Sequence, residues 1–431
     1  MPDFVKKIFH RHPYVDRQFW FLYMLLVGFA IIALFSAGST LIYKGEGEQP
    51  TLGPISRQMG FLALGCALMY GFQFLPSKVM TWIGYFALGF ALLYLYVMLI
   101  PGNPLVVEIN DAARWARLWP SHVTFQPSEV AKFGLIIVAA DLLTKCKTDE
   151  EKRKNFFITL ALTVITILPI MMSNLSTAVL LFGIVLLMWI LARVNWKYIA
   201  SVVGIAIALL LAGYCIVEFG YVRPHRRLSG PFSRAITWVN RVDAVIREKQ
   251  TDEAEFKITN ENYQRSLAKV AIMRGGKTPL GVFPGNSQER DYLPYAYEDY
   301  IFAIIVEESG LVGTFILIFI YLAILFRACF ASTKFGDDRA MLTVMGLALM
   351  LTCQALVSMA VSVGLGPVTG QPLPLVSHGG TSVLVTSMYF AVMMCVSREQ
   401  EAMRDRQQTA KQESLQDIPQ IDLTTPITTA Q

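Results

Sequence analysis

Five groups of residues in this 431-residue chain have types and spacings that could do chemistry. In "FQPSEVAKFG", Glu129 and Lys132 stand three apart, on one face of a helix that Pro127 would open. An ion pair facing a helix bundle is the economical reading, and it serves structure or catalysis equally well. Just before it, Arg114 and Arg117 alternate with Trp115 and Trp119. Such arginines could grip a lipid-linked phosphate, or simply snorkel in an interfacial belt. In "EDYIFAIIVEESG", Asp299 stands at a helix start that favours an anion, and Glu307 and Glu308 lie about 12–14 Å further in. Two adjacent acids at that depth demand a partner or a polar cavity. In "GPVTGQPLPLVSHGGTS", prolines and paired glycines surround Gln371, Ser377 and His378. Irregular backbone of this kind is tolerated at membrane depth only where it is buried in protein or lines a cavity. There His378 could titrate or bind phosphate, or be a hydrogen-bonded structural histidine.

The fifth group is the stretch "FSRAITWVNRVDAVIREKQTDEAEF". A helical wheel places Phe232, Ala235, Ile236, Val239, Val242 and Ile246 on one stripe, with Arg234, Thr237, Arg241 and Glu248 opposite. This is an amphipathic helix suited to a membrane surface or to the side of a bundle. Asp243 falls on the apolar stripe. Desolvation would raise its pKa and suit it to proton transfer. Alternatively the helix frays before it, or it pairs with Arg247 one turn on. Asp252, Glu253 and Glu255 read as a solvated acidic run. No Walker loop, metal-ligand cluster or Ser-His-Asp arrangement is present.

The elements that must position these groups follow from composition. The chain is 54% hydrophobic and 16% charged, with mean hydropathy +0.47, whereas a soluble domain is about one quarter charged. Six scattered cysteines give neither a disulfide framework nor a zinc signature. The first apolar run lacks a cleavage site and reads as a retained span. Runs long enough to span occur near 19–43, 58–75, 79–101, 127–145, 155–173, 175–193, 197–219, 299–327, 340–364 and 379–397. The expected fold is therefore an all-α polytopic membrane protein of about ten transmembrane helices. A large extracytoplasmic loop, 220–298, separates spans seven and eight.

Orientation rests on basic residues in the short loops. "KCKTDEEKRK", "RVNWK", "RACFASTKFGDDR" and "REQEAMRDR" share one side with Lys6, Lys7, Arg11 and Arg17. Both termini are then cytoplasmic: residues 1–18 before the spans 19–219, and 398–431 after the spans 299–397 as a disordered tail. Within the outer loop, "NENYQRSLAKVAIMRGG" reads as a second helix stopped at Gly275-Gly276. "TPLGVFPGNSQERDYLPYAYEDY" follows as a turn-dense cradle, in which Asn286 and Ser287 are candidate ligand contacts.

The segments "RWARLWPSHVTFQPSEVAKF", "GNSQERDYLPYAYEDYIFAIIVEESGLVG" and "PVTGQPLPLVSHGGTS", in that order on ten spans, resemble the SEDS family of FtsW, RodA and the sporulation homologue. The resemblance covers nearly the whole chain. It implies a glycosyltransferase of the bacterial cytoplasmic (inner) membrane that polymerises lipid II into undecaprenyl-linked glycan outside it. A class B penicillin-binding protein and other division or elongation proteins are the implied partners, with no nucleic acid. "GNS" is similar to the FtsW branch and "PVTGQPLP" to RodA.

Arg114, Pro127, Ser128, Glu129 and Lys132 match the first motif. Pro294, Asp299, Phe302, Glu307, Glu308 and Gly310 match the second, with Tyr297 where a histidine is usual. Pro372, Pro374, Ser377, Gly379 and Gly380 match the third, with His378 in place of tyrosine. The family's essential aspartate is implied near Trp238-Val239-Asn240, which makes Asp243 the base and Asp252 its competitor. Asn174 stands where an aspartate is common, so a polar-network role is expected for it. Arg114, Arg117, Lys132 or basic residues of the loop would stabilise the leaving pyrophosphate. A divalent cation (Mg or Mn) could share that work. The alternatives from other classes are a lipid II transporter and a non-catalytic division scaffold.

Overall fold

The computed structural model describes residues 16–43, 53–100, 102–109, 112–118, 123–146, 148–222, 236, 238–239, 263–283, 286–289, 292, 299–366 and 369–416. Each of the ten apolar runs falls on a helix: α1 (Arg17–Tyr43), α2 (Gly53–Phe72), α3 (Ser77–Val97), α4 (Pro127–Thr144), α5 (Asp149–Ser173), α6 (Leu175–Leu191), α7 (Trp196–Val217), α9 (Ile301–Ser332), α10 (Asp338–Ser362) and α11 (Gly380–Gln416), while α8 (Tyr263–Gly275) lies in the loop segment. Seven of the described helices are long and apolar enough to cross a membrane. α6 is apolar but shorter.

The centre of the bundle is α4, buried along almost its whole length. It reaches that position because its crossing with α3 is made by glycines. A Cβ on Gly134 would lie 2.6 Å from the Leu88 backbone N, and one on Gly84 would lie 2.5 Å from Ile137. Small residues of this kind let apolar helices approach closely without a hydrophobic drive between them. α10 packs against α4 and is buried in the same way.

At the end carrying the basic loops, buried acids staple the helices. Asp16 accepts from Arg327 of α9 at 2.5 Å and from Ser397 of α11 at 2.9 Å. Asp141 of α4 accepts from Tyr85 of α3 at 2.8 Å and pairs with Lys145 at 2.6 Å, with Arg339 of α10 3.7 Å away.

Three features depart from expectation. A three-stranded antiparallel sheet, β1 (Val106–Ile109), β2 (Ala112–Leu118) and β3 (Val123–Phe125), precedes α4, so the fold is not purely helical. Ile109 pairs with Ala112, and Ala116 pairs with both Val106 and Phe125. β-Branched residues on β1 and β3 flank the alternating side chains of β2, a signal masked by reading the segment as an aromatic belt. Second, α11 runs on through Gln416, where residues from 398 were expected to be a disordered tail. "REQEAMRDRQQTAKQESLQ" lacks glycine and proline and is built from good helix formers, so an existing helix propagates into it.

Third, α9 is broken. Gly310 adopts φ 63°, ψ −158°, a region essentially reserved for glycine. The break leaves the Glu307 carbonyl and the Val312 N–H without helical partners. The turn after α8 supplies both, with Val282 N donating to Glu307 O at 2.9 Å and Val312 N to Pro279 O at 3.0 Å. Gly281 (φ 65°) makes the approach possible, since a Cβ there would lie 2.5 Å from Glu307 O. Gly275 at the end of α8 rests on the Val306 backbone. Of the loop's first helix, Ile236, Trp238 and Val239 are helical, with Val239 buried as its stripe predicts. Asp243 and Asp252 lie outside the described residues.

Gly310→Ala is expected to cost at least about 1–3 kcal/mol through strain and collision with the Gly281 backbone. The corresponding loss of thermal stability is measurable on the purified protein in detergent. Alanine at Gly183, which has nothing within 4 Å of an added Cβ, is the control expected to leave melting unchanged.

Candidate functional site

The end of the bundle away from the basic loops gathers the start of α4, the α5–α6 junction, α8, the start of α9 and the connection 369–379 between α10 and α11. That connection is the hub. It is irregular, with positive φ at Gly370 (60°) and Leu375 (68°), and its carbonyls are tied to helix side chains. Asn174 donates to Thr369 O at 3.1 Å, Gln354 to Pro372 O at 3.1 Å and Tyr321 to Pro374 O at 2.6 Å. Gln371 donates to Thr177 at 3.4 Å. Within the connection, Ser377 accepts from Leu373 N at 2.8 Å, and its own N–H returns to Leu373 O at 2.9 Å. Ser377 is thus a buried turn-former. Gly379 donates to Gln58 at 3.4 Å, and Gly380 lies beneath the Phe61 ring.

Glu129 and Lys132 form the expected pair, 2.7 Å apart and both buried. A third member was not foreseen: Gln354 of α10 accepts from Lys132 at 2.7 Å. Its signal was a lone amide inside the apolar run "LMLTCQALVSM". Arg114 reaches the hub from β2, its guanidinium lying over Gly370, where an added Cβ would be 2.7 Å from Nη1. The structure therefore joins the first and third motifs through Arg114 and through the Lys132–Gln354–Pro372 chain. Arg117, three residues on, is exposed.

The second motif forms a separate knot. Glu307 accepts from the Ser287 hydroxyl and from Gln288 N at 3.1 Å, and Arg274 stands 3.8 Å away. Arg274 also donates to Gln288 at 2.5 Å. Glu308 accepts from the Ser36 hydroxyl of α1. Both acids are buried and partnered, and the partners sit 20 and 272 residues away in sequence. Asn286 is exposed and bonds back to Val282 O at 3.1 Å, within its own turn. Asp299 is half-buried just before α9. Asn174 caps α6 by accepting from Thr177 N at 3.3 Å, in addition to its bond to Thr369 O.

Glu289, not singled out by sequence, stands in the same turn as Ser287. Burial, then the neighbouring Glu307 charge, push its carboxyl above the usual range, against a lowering effect of Arg274. Burial, then the Arg57 charge, hold His378 below the usual histidine value. Lys269 of α8 lies along Gly364 at the end of α10. Together with Arg114 and Arg274 it gives this end several cations, suited to an anionic oxygen-rich group. Among the described residues, no group of three or more His, Cys, Asp or Glu is placed to hold a metal ion.

Removing one partner of the buried pair should be costly. Lys132→Met leaves Glu129 uncompensated and is expected to destabilise by about 3–5 kcal/mol. Glu129→Gln/Lys132→Met should recover most of that loss, as read by thermal melting in detergent. A second measurement follows from His378. Its depressed folded pKa contributes stability that is fully present above the unfolded value of about 6.5 and lost as pH falls through the folded value. Melting temperature should therefore fall on acidification below that point, and His378→Gln should flatten this part of the profile.

Known proteins share this architecture. A chain of the solved structure described as "Structural coordination of polymerization and crosslinking by a peptidoglycan synthase complex" superposes with TM-score 0.68 at 23% identity, covering 90% of this chain and 99% of that one. The rod shape determining protein RodA of Thermus thermophilus superposes with TM-score 0.61 at 22% identity, covering 90% and 98%. In sequence, the probable peptidoglycan glycosyltransferase FtsW of Nitrosomonas europaea is 28% identical over 387 residues, covering 88% of this chain and 92% of that protein. The peptidoglycan glycosyltransferase MrdB of Escherichia coli K12 is 27% identical over 377 residues, covering 86% and 92%. Residues 16–402 match the family described as cell cycle protein, FtsW/RodA/SpoVE, and the chain, a multi-pass membrane protein, belongs to that family.

Proposed function

We propose that this protein is a peptidoglycan glycosyltransferase that polymerises lipid II at the outer face of the bacterial cytoplasmic membrane, with both termini inside. The observation that carries the reading is the junction of the first and third motifs, where Arg114 meets Gly370 and Lys132 reaches Pro372 through Gln354, with the separate knot of the second motif at the same end of the bundle. That end also receives α8, which follows the polar stretch bearing Asp243 and docks through Gly275 on α9. In the reaction, a hydroxyl of the acceptor sugar attacks the anomeric carbon of the donor. The bond to pyrophosphate breaks with its electron pair, undecaprenyl pyrophosphate leaves, and the hydroxyl proton passes to the Asp243 carboxylate. In this reading Arg114 stabilises the departing phosphate oxygens, a role supported by its position at the polar end of the bundle. Lys132 is committed to Glu129 and Gln354, so its contribution is to hold the hub. A divalent cation would assist the leaving group, but the described residues offer it no ligand set, and no step depends on it.

Polymerisation calls for a crosslinking partner, and a class B penicillin-binding protein fits that need. One structural neighbour is part of a synthase complex that coordinates polymerization and crosslinking. The FtsW-like Gly285-Asn286-Ser287 sequence favours septal synthesis. The transporter reading relied on intramembrane Glu129, Lys132, Glu307 and Glu308. All four are engaged by neighbours, which suits static locks better than groups that change partners across a bilayer.

The test is glycan synthesis by the purified protein with lipid II and its cognate penicillin-binding protein. Asp243→Ala should lower polymer formation by about 10²–10⁴-fold, while Asp252→Ala retains it. Full polymerisation by Asp243→Ala would sink the assignment of the base. Lipid II flipping in liposomes without polymer from the wild type would favour the transporter.

A further inference from the structure

At the end of the bundle carrying the basic loops, residues of α5 and Tyr198 of α7 line a groove of about 1020 Å³. Its rim comes from the first turns of α5, with Glu150, Arg153 and Lys154, and its floor from Phe157, Ile158 and, across the gap, Tyr198 of α7. Arg153 and Phe157, and likewise Lys154 and Ile158, are one turn apart. A charged layer therefore stands about 6 Å along the helix from an apolar one. That is the layering of a lipid headgroup above its acyl chains.

The charges on the rim are unspent. Glu150 and Lys154 stand at i, i+4 with the acid first, the orientation that favours an intrahelical ion pair. Even so, neither they nor Arg153 make a hydrogen bond or ion pair among the described residues. Their neighbours do: Lys152 pairs with Asp149 at 3.4 Å, and Glu151 turns back to close a capping box with Thr148. The floor is firm, since Tyr198 stacks on Phe156 at 5.6 Å, and Phe156 packs on Trp189 of α6 at 5.0 Å. Beyond this cluster α7 has little hold on the bundle, with Ile199 its one buried residue among those described.

We infer that this groove seats the headgroup of a zwitterionic bilayer phospholipid of the phosphatidylethanolamine type, with its phosphate on Arg153 and Lys154 and its ammonium on Glu150. With Glu151 held in the capping box, the rim offers two bases to a phosphate and one free acid, Glu150, to an ammonium. A purely anionic headgroup would meet the bases but be repelled by Glu150. The acyl chains continue along the outward faces of α5 and α7, where Val164, Leu168, Ile205 and Leu209 are exposed. So placed, the lipid bridges α5 to the first turn of a helix that the protein itself barely holds.

The test uses the full-length protein in detergent, exchanged with equimolar phosphatidylethanolamine and phosphatidylglycerol and examined by native mass spectrometry. The wild type should retain phosphatidylethanolamine over phosphatidylglycerol by about fivefold or more. Arg153→Gln/Lys154→Gln should lose retention by about fivefold for each basic side chain removed, and Glu150→Gln should close the gap between the two lipids. Lys152→Gln, whose side chain is outside the groove, should bind as the wild type does. Equal or stronger retention of phosphatidylglycerol overturns the zwitterionic assignment. Unchanged retention by the Arg153/Lys154 double variant overturns the site. A photoactivatable phosphatidylethanolamine in vesicles of both lipids reads the same contact without mutation. Labelling of peptides spanning 148–161 and 196–202 supports the seat, and labelling confined elsewhere removes it.

Discussion

The Lys132 ammonium is 1% exposed at the heart of an apolar bundle. Leaving such a charge unpaired costs several kcal/mol even after relaxation. Glu129 answers the charge and Gln354 takes a second donor, each at 2.7 Å. The amide of Gln354 then has its N–H groups free, and it spends one on Pro372 O. One buried charge on α4 thereby dictates a partner on α10, and that partner fixes the connection leading into α11. Irregular backbone at this depth needs every carbonyl answered. Asn174 at the α5–α6 junction, Gln354 of α10 and Tyr321 of α9 answer three of them. The position of the connection is thus a consequence of polar satisfaction rather than of apolar packing, which has no directional preference of its own.

The same accounting explains the broken α9. A helix interrupted at Gly310 exposes backbone groups that lipid cannot satisfy, and the turn following α8 exchanges hydrogen bonds with them. Glu307, one turn before the break, holds Ser287 and Gln288 of the next turn through its side chain. Backbone and side chain of one residue therefore pin the same loop, so the cradle is built into the bundle rather than laid across it.

Much of this was legible. Hydropathy located ten helices because burial in lipid leaves few residue types available, and a spacing of three disclosed the Glu129–Lys132 pair because the helix period is local. The stop of α8 at Gly275 was also visible in local chemistry. What could not be read was who answers whom at long range. Nothing local to Glu308 points to Ser36, 272 residues earlier, and a lone Gln354 declares a need without naming its partner. The sheet was missed for a different reason: strands of three to seven residues carry too few alternations to stand out beside Trp and Arg that also suit an interface. In α11, polarity was mistaken for disorder, although helix propensity and an existing helix end favour continuation.

These locks also bear on where proton transfer can occur. A carboxylate that serves as a general base needs a lone pair directed at the substrate hydroxyl, within about 3 Å of it. Asp16 and Asp141 lie at the opposite end, held by arginine, tyrosine, serine and lysine. Glu129, Glu307 and Glu308 are at or near the right end, but their oxygens face donors of the protein itself. Using any of them as a base would first break a contact that positions the hub or the cradle. The base is therefore to be sought among acids of the loop between α7 and α9, where the chain carries Asp243 and Asp252. Their neighbour Val239 is already buried in a helical segment, so the stretch that leads into these acids is held against the protein at that residue.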